Sequence, residues 1–153
     1  MTFTRWVLDA AGFSDFGSAI APEPLLQKLA RPAVREHAAR NPESAEARVM
    51  AGFLRVLEDG DPLQHYQDAL TLEPGNALAA RLFTRAVLSQ VDYAQHELPH
   101  LYLGNPEDDI ALLERTAALD IDPAQQSLIA EFIAAAQAAL RDGHDPGQLR
   151  NRS

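Results

Sequence analysis

With 153 residues, 46% of them hydrophobic, the chain is large enough for one core and small for two, so a single domain is expected. The absence of cysteine excludes disulfides, thiol chemistry and cysteine-ligated zinc, and no run of about 18 apolar residues offers a membrane span. A formal net charge of -9 disfavours nucleic acid and anionic lipid, whose phosphates call for basic patches, and leaves a basic or neutral partner.

In chain order, residues 1–21 form an N-terminal extension holding Phe3, Trp6, Phe13 and Phe16 among glycines and serines. Such aromatics are costly to leave in water, so the extension is expected to dock on the helices after it. It holds one basic residue, and Asp9, Gly12 and Asp15 break its apolar patch; this is a poor signal peptide, and a cytoplasmic protein is expected. Lys28 is the one lysine, an arginine-heavy usage associated with GC-rich bacterial genomes. Residues 22–142 read as an all-α array. Helices are expected over Pro24 to Ala30, Pro32 to Arg40, Glu43 to Leu57, Pro62 to Leu72, Ala77 to Gln90, Tyr93 to Leu103, Glu107 to Leu119 and Pro123 to Asp142. The last is Ala-rich, with Leu128, Ile129, Phe132, Ile133, Ala136 and Leu140 on one stripe, as expected of a helix capping a stack. Gly143 and Pro146 close it, and residues 143–153 are expected to be a disordered tail.

The clearest local pattern runs from Ala45 to Asn76. Val49, Phe53, Val56 and Leu57 share one helical face, and Gly52 sits in mid-helix, where it costs about 1 kcal/mol against Ala unless another helix approaches closely. Asp59-Gly60-Asp61-Pro62 stops that helix and starts the next. Tyr66, Ala69, Leu70 and Leu72 then recur at helical spacing. Pro74 cannot continue the helix, Gly75 is free to take positive φ, and Asn76 is placed to cap the following one.

With Gly52, Gly60, Tyr66, Ala69, Leu70, Leu72, Pro74 and Asn76 in these places, the segment resembles a tetratricopeptide repeat about two residues short of the family's period of about 34. Arg48 stands where the family has an early aromatic. Pro42, Pro74 and Pro106 recur at equal intervals of 32 residues. A further copy of the repeat ending is read in Ala111, Ala118-Leu119, Ile121 and Asp122-Pro123, out of register with that interval. The resemblance implies a right-handed solenoid of about three antiparallel helical hairpins that holds a peptide or helix of another protein in its concave groove. By the same resemblance the groove candidates are Arg48, Arg55, Arg81 and Arg85, and the repeat-packing residues are Gly52, Tyr66, Ala69, Leu70, Pro74, Ala111, Ala118 and Pro123. Val49 and Phe53 stand where the family's carboxylate-clamping receptors carry basic and amide side chains, which argues against recognition of a chain terminus.

One string points to chemistry. His96-Glu97-Leu98-Pro99-His100 matches H-E-x-x-H, in which two histidines one helical turn apart bind zinc and the Glu acts as base. Pro99 removes an N–H from the helix that must align the two rings, and nothing singles out a third ligand among Glu114, His65 and His144. The acidic clusters Glu58-Asp59-Gly60-Asp61, Glu107-Asp108-Asp109 and Asp120-Ile121-Asp122 fall at helix starts, where carboxylates complement the dipole. No phosphate loop or nucleophile elbow occurs. A non-catalytic interaction module without cofactor or metal is therefore expected. The alternatives are a dedicated acidic binder of one basic protein, such as a secretion chaperone or immunity protein, and a zinc hydrolase on the H-E-x-x-H string. Self-association to a homodimer through the Phe132 and Ile133 face is a further expectation.

Overall fold

A computed structural model describes residues 24, 26–54, 61–96, 102–119 and 121–142. The aromatic extension, the tail, Arg55, Gly60, Asp120 and the stretch Glu97 to His100 lie outside the described residues. Those described are helical and connecting segments, with no strand among them. They belong to two compact units, Met1–Leu82 and Phe83–Ser153. The helices are α1 (Arg31–Arg40), α2 (Ala45–Leu54), α3 (Pro62–Leu72), α4 (Ala77–His96), α5 (Pro106–Ala117) and α6 (Pro123–Arg141). The division between units falls inside α4. Among the described residues no helix is long and apolar enough to cross a membrane.

In the first unit, α1 is preceded without a break by a π-helical turn, Leu26–Ala30, and Ala30 itself keeps helical angles (φ -68, ψ -50). Two separate helices were the expectation. Pro32 lacks an N–H and crowds the carbonyl four residues back, and a wider turn at that point lets the chain run on instead of stopping. Asn41 ends α1 with its backbone N–H donating to His37 O at 3.0 Å and its side-chain amide donating to the same carbonyl at 2.8 Å. Ser44 then opens α2 by accepting from Ala47 N at 3.2 Å. α2 is buried on most sides, at Ala45, Ala47, Val49, Met50, Ala51, Gly52 and Leu54. Ala30, Val34, Met50, Ala51 and Leu54 form one apolar cluster there, joined by Ala38 and Phe53.

α2 packs on α3 through its glycine. A Cβ built on Gly52 would stand 2.9 Å from His65 Cβ and 2.9 Å from Tyr66 Cε1, so the two helices approach as closely as they do because that side chain is missing. Asp61 caps α3 by accepting from Leu63 N at 3.0 Å, and Pro62 fills the first helical position, where no N–H is needed. After Glu73, Pro74 and Gly75 make the turn, and Asn76 caps α4 by accepting from Ala79 N at 2.9 Å. Gly75 does not take positive φ; Gly104 does, at 118°.

α4 runs through to His96, so no separate helix begins at Tyr93, and Tyr102 and Leu103, at the end of the expected helix, are not helical. Nothing between Gln90 and Tyr93 breaks a helix, and the buried stripe Ala79, Leu82, Phe83, Val87, Val91, Ala94 continues at helical spacing across the supposed boundary. Beyond the helix, Leu103 N donates back to Ala94 O at 2.7 Å. Positive φ at Gly104 turns the chain into α5, which Asn105 caps by accepting from Glu107 N at 3.0 Å. Asp122 does the same for α6, accepting from Ala124 N at 2.7 Å.

The three evenly spaced prolines are not structurally alike. Pro42 and Pro74 follow helix ends and precede a capping residue, whereas Pro106 is the first residue of α5. Pro123, read as closing a repeat, likewise opens α6. Ala111 and Ala118 are corrected as packing residues, since both are exposed. α5 buries Asp109, Leu113 and Thr116, and a residue two places from Leu113 lies about 200° around the helix, so Ala111 faces away from that core.

Candidate functional site

α4 from Phe83 onward, α5 and α6 lie in the second unit, and their interior contains a polar centre. Asp109 is 3% exposed and accepts from Tyr102 Oη at 2.9 Å and from Gln90 Nε2 at 3.0 Å. Burial, followed by the hydrogen bond to this carboxylate and its charge, pushes the Tyr102 phenol well above its ordinary value, so it stays a neutral donor. The network ties the segment after α4 to the first turn of α5. An apolar cluster of Ala94, Tyr102 and Ala136, with Ile110 and Ala139 against it, packs beside it.

On the outside of the same unit, α4 and α6 border an open groove of about 710 Å³. Leu88, Ser89, Asp92, Gln95 and His96 line it from α4, and Leu128, Glu131, Phe132 and Ala135 from α6. The two helices are tied beside it by Gln95 Nε2 donating to Phe132 O at 2.9 Å, and the His96 ring lies 6.2 Å from that of Phe132, tilted by 52°. The floor is apolar; Leu128 is 37% exposed and Phe132 7%. Asp92 and Glu131 put one carboxylate on each wall, and among the described residues no lysine or arginine lines the groove.

Comparison with family models, curated proteins and solved structures finds no match. The site therefore rests on its own geometry. Of the groove candidates, Arg48 is half-buried on α2, where its Nε donates to Pro42 O at 3.3 Å and its charge bears on His65. Arg81 and Arg85 are exposed one turn apart on α4, and Arg55 lies outside the described residues. Arg48, Arg81 and Arg85 are not among the residues that line the groove between α4 and α6. Gly52, Tyr66, Ala69 and Leu70 are buried in the first unit, while Pro74 is exposed at a turn and Pro123 at the start of α6.

The H-E-x-x-H string is described only at its first residue. His96 Nδ1 faces its own helix, 3.2 Å from Asp92 O and 3.0 Å from Asp92 Oδ1. Ser89 shares the groove but lies seven residues from His96, about 10 Å along the axis, too far for a nucleophile–base pair. Among the described residues no three acidic or imidazole side chains gather to hold a metal ion.

The sequence marks Leu128 and Phe132 on the α6 stripe and His96 in the H-E-x-x-H string, but not their meeting with Leu88, Asp92 and Gln95 in one groove. The apolar stripe of α6 is wider than one packing face needs. Ile129, Phe132 and Ala136 are buried, while Leu128 and Leu140 at its edges are each 37% exposed.

A different polar site lies in the first unit. His65 is 6% exposed, and neither of its ring nitrogens meets a hydrogen-bond partner among the described residues. Burial lowers its pKa, and the Arg48 charge lowers it further, against the opposing pull of Asp68 and Asp61.

Proposed function

We propose that the chain is a non-catalytic protein-interaction module of the cytoplasm that holds a segment of a partner protein in the groove between α4 and α6. The observation that carries this reading is the groove itself, an open apolar floor bordered by Leu88, Leu128, Phe132 and Ala135, with polar groups on its rims. The His96 imidazole faces a carboxylate and a carbonyl one turn back on its own helix rather than a nucleophile. The wider architecture in this proposal is a right-handed, tetratricopeptide-like solenoid. The α2–α3 hairpin supports it through Gly52 against Tyr66, buried Ala69 and Leu70, and the Pro74 turn before the Asn76 cap.

The test is selection of helical peptides from a display library on the intact chain, followed by binding to wild type and Leu128→Arg. Leu128 is partly exposed on the groove wall, so an arginine there blocks the floor without entering the core. The reading expects selected peptides to lose affinity by at least about tenfold on Leu128→Arg, with an unchanged circular dichroism spectrum. Peptides that bind the variant equally well, or no selection at all, would refute it.

A further inference from the structure

The groove's wall spacing and charge define its occupant more narrowly. We infer that it takes a basic amphipathic helix of a partner protein, with two apolar side chains one turn apart on the floor and an arginine or lysine beside them between Asp92 and Glu131. This rests on the reading of the groove as a docking site.

The walls set the shape of the occupant. α4 contributes Leu88, Asp92 and Gln95, and α6 contributes Leu128, Phe132 and Ala135, each set at intervals of four and then three residues. Each wall therefore extends about 10 Å, two helical turns, with side chains repeating at the period that another helix also presents. Ala135 puts a small side chain on that wall. A small molecule is a poorer fit, because such ligands are mostly enclosed, whereas Leu128, Glu131, Ala135 and Asp92 are all exposed.

Charge sets its composition. The two carboxylates come from opposite walls, so a cation seated between them is attracted from both sides. The Asp92 carboxylate also meets the His96 ring, at 3.0 Å. A chain of net charge -9 adds a long-range pull on basic segments. The same charges speak against a second copy of this chain as occupant. A two-fold contact would lay one acidic groove on its equal, carboxylates toward carboxylates, at a cost with no compensating cation.

The experiment uses the whole chain and three helical peptides with identical apolar residues, flanked by arginine, glutamine or glutamate. Fluorescence anisotropy is read at low and high salt. The arginine peptide is expected to bind about three- to tenfold tighter than the glutamine peptide, and the glutamate peptide weakest, with the spread collapsing at high salt. The double variant Asp92→Asn, Glu131→Gln is expected to abolish the arginine preference and keep the apolar contribution. Equal binding of arginine and glutamine peptides, both lost in Leu128→Arg, would overturn the charge inference and leave the docking groove standing. Failure of all three peptides would remove both. A dimer in sedimentation that Leu128→Arg converts to monomer would make a second copy the occupant and overturn the inference.

Discussion

The two units bury polar groups in opposite ways. In the second, Asp109 is enclosed with both its oxygens engaged, one by the Tyr102 hydroxyl and one by the Gln90 amide. In the first, His65 is enclosed beside Gly52 with neither nitrogen paired among the described residues. A satisfied buried carboxylate fixes the geometry of the chain around it, whereas an unpaired imidazole is tolerated only while neutral. The second unit is therefore the more firmly specified by its polar contacts, and it is the one that carries the groove. The first is held by apolar packing and close helix contact, and the lowered pKa of His65 predicts that its stability answers to pH.

The largest effects should come from the interiors. Leu113→Ala, at a fully buried α5 position, is expected to cost about 3 kcal/mol, and Asp109→Ala about 2 kcal/mol through the Tyr102 hydroxyl it leaves without its acceptor. Urea unfolding gives the totals. Hydrogen exchange should place the Asp109→Ala loss in α5 and the segment before it. An Asp109→Ala protein as stable as wild type would erase the contrast between the units.

Gly52→Ala probes the other side of the comparison. The added methyl meets atoms at 2.9 Å that belong to the Cβ of His65 and the ring of Tyr66, neither a loose chain end, so about 2 kcal/mol of destabilisation is expected. Removing the α3 cap by Asp61→Ala should cost about 1 kcal/mol. If Gly52→Ala were neutral, the helices would not be as close as described.

The pH response is the subtlest effect and the most discriminating. The His65 pKa is lowered in the folded chain, so above the ordinary imidazole value of 6.5 both folded and unfolded states hold it neutral and nothing is lost. As pH falls through that value the unfolded state takes up a proton that the folded state resists, and stability declines until pH also passes the lower folded value. Urea midpoints compared on the two sides of that value, for wild type and His65→Leu, should show a decline with acid that the variant reduces. An unchanged pH slope in the variant would show that His65 is not its source.

How far the sequence carried can be judged from particular elements. α3 was legible to the residue because strong punctuation brackets it, Asp61-Pro62 before and Pro74 after. Asn76 declared itself as a cap in the same way. Where punctuation was absent, boundaries drifted, as in the run of α4 past Gln90. Where a breaker was present but geometrically accommodated, as at Pro32, a stop was expected and a π turn was found. Faces were harder than spans. In α5, alanines at a repeat-like spacing suggested packing, yet the core took Leu113 and Thr116 with the paired Asp109, a choice set by which partners α6 and Tyr102 bring. The groove stayed hidden because a helix stripe shows hydrophobicity and not which of its members a neighbour covers.

Recognition through the second unit's groove is tested most directly by an amide chemical-shift titration of the intact chain with the arginine-flanked helical peptide. Shifts centred on residues 88–96 and 128–135, absent in Leu128→Arg, are the predicted result. Shifts centred on α2 and α3, around Arg48, would contradict it and return recognition to the hairpin of the first unit.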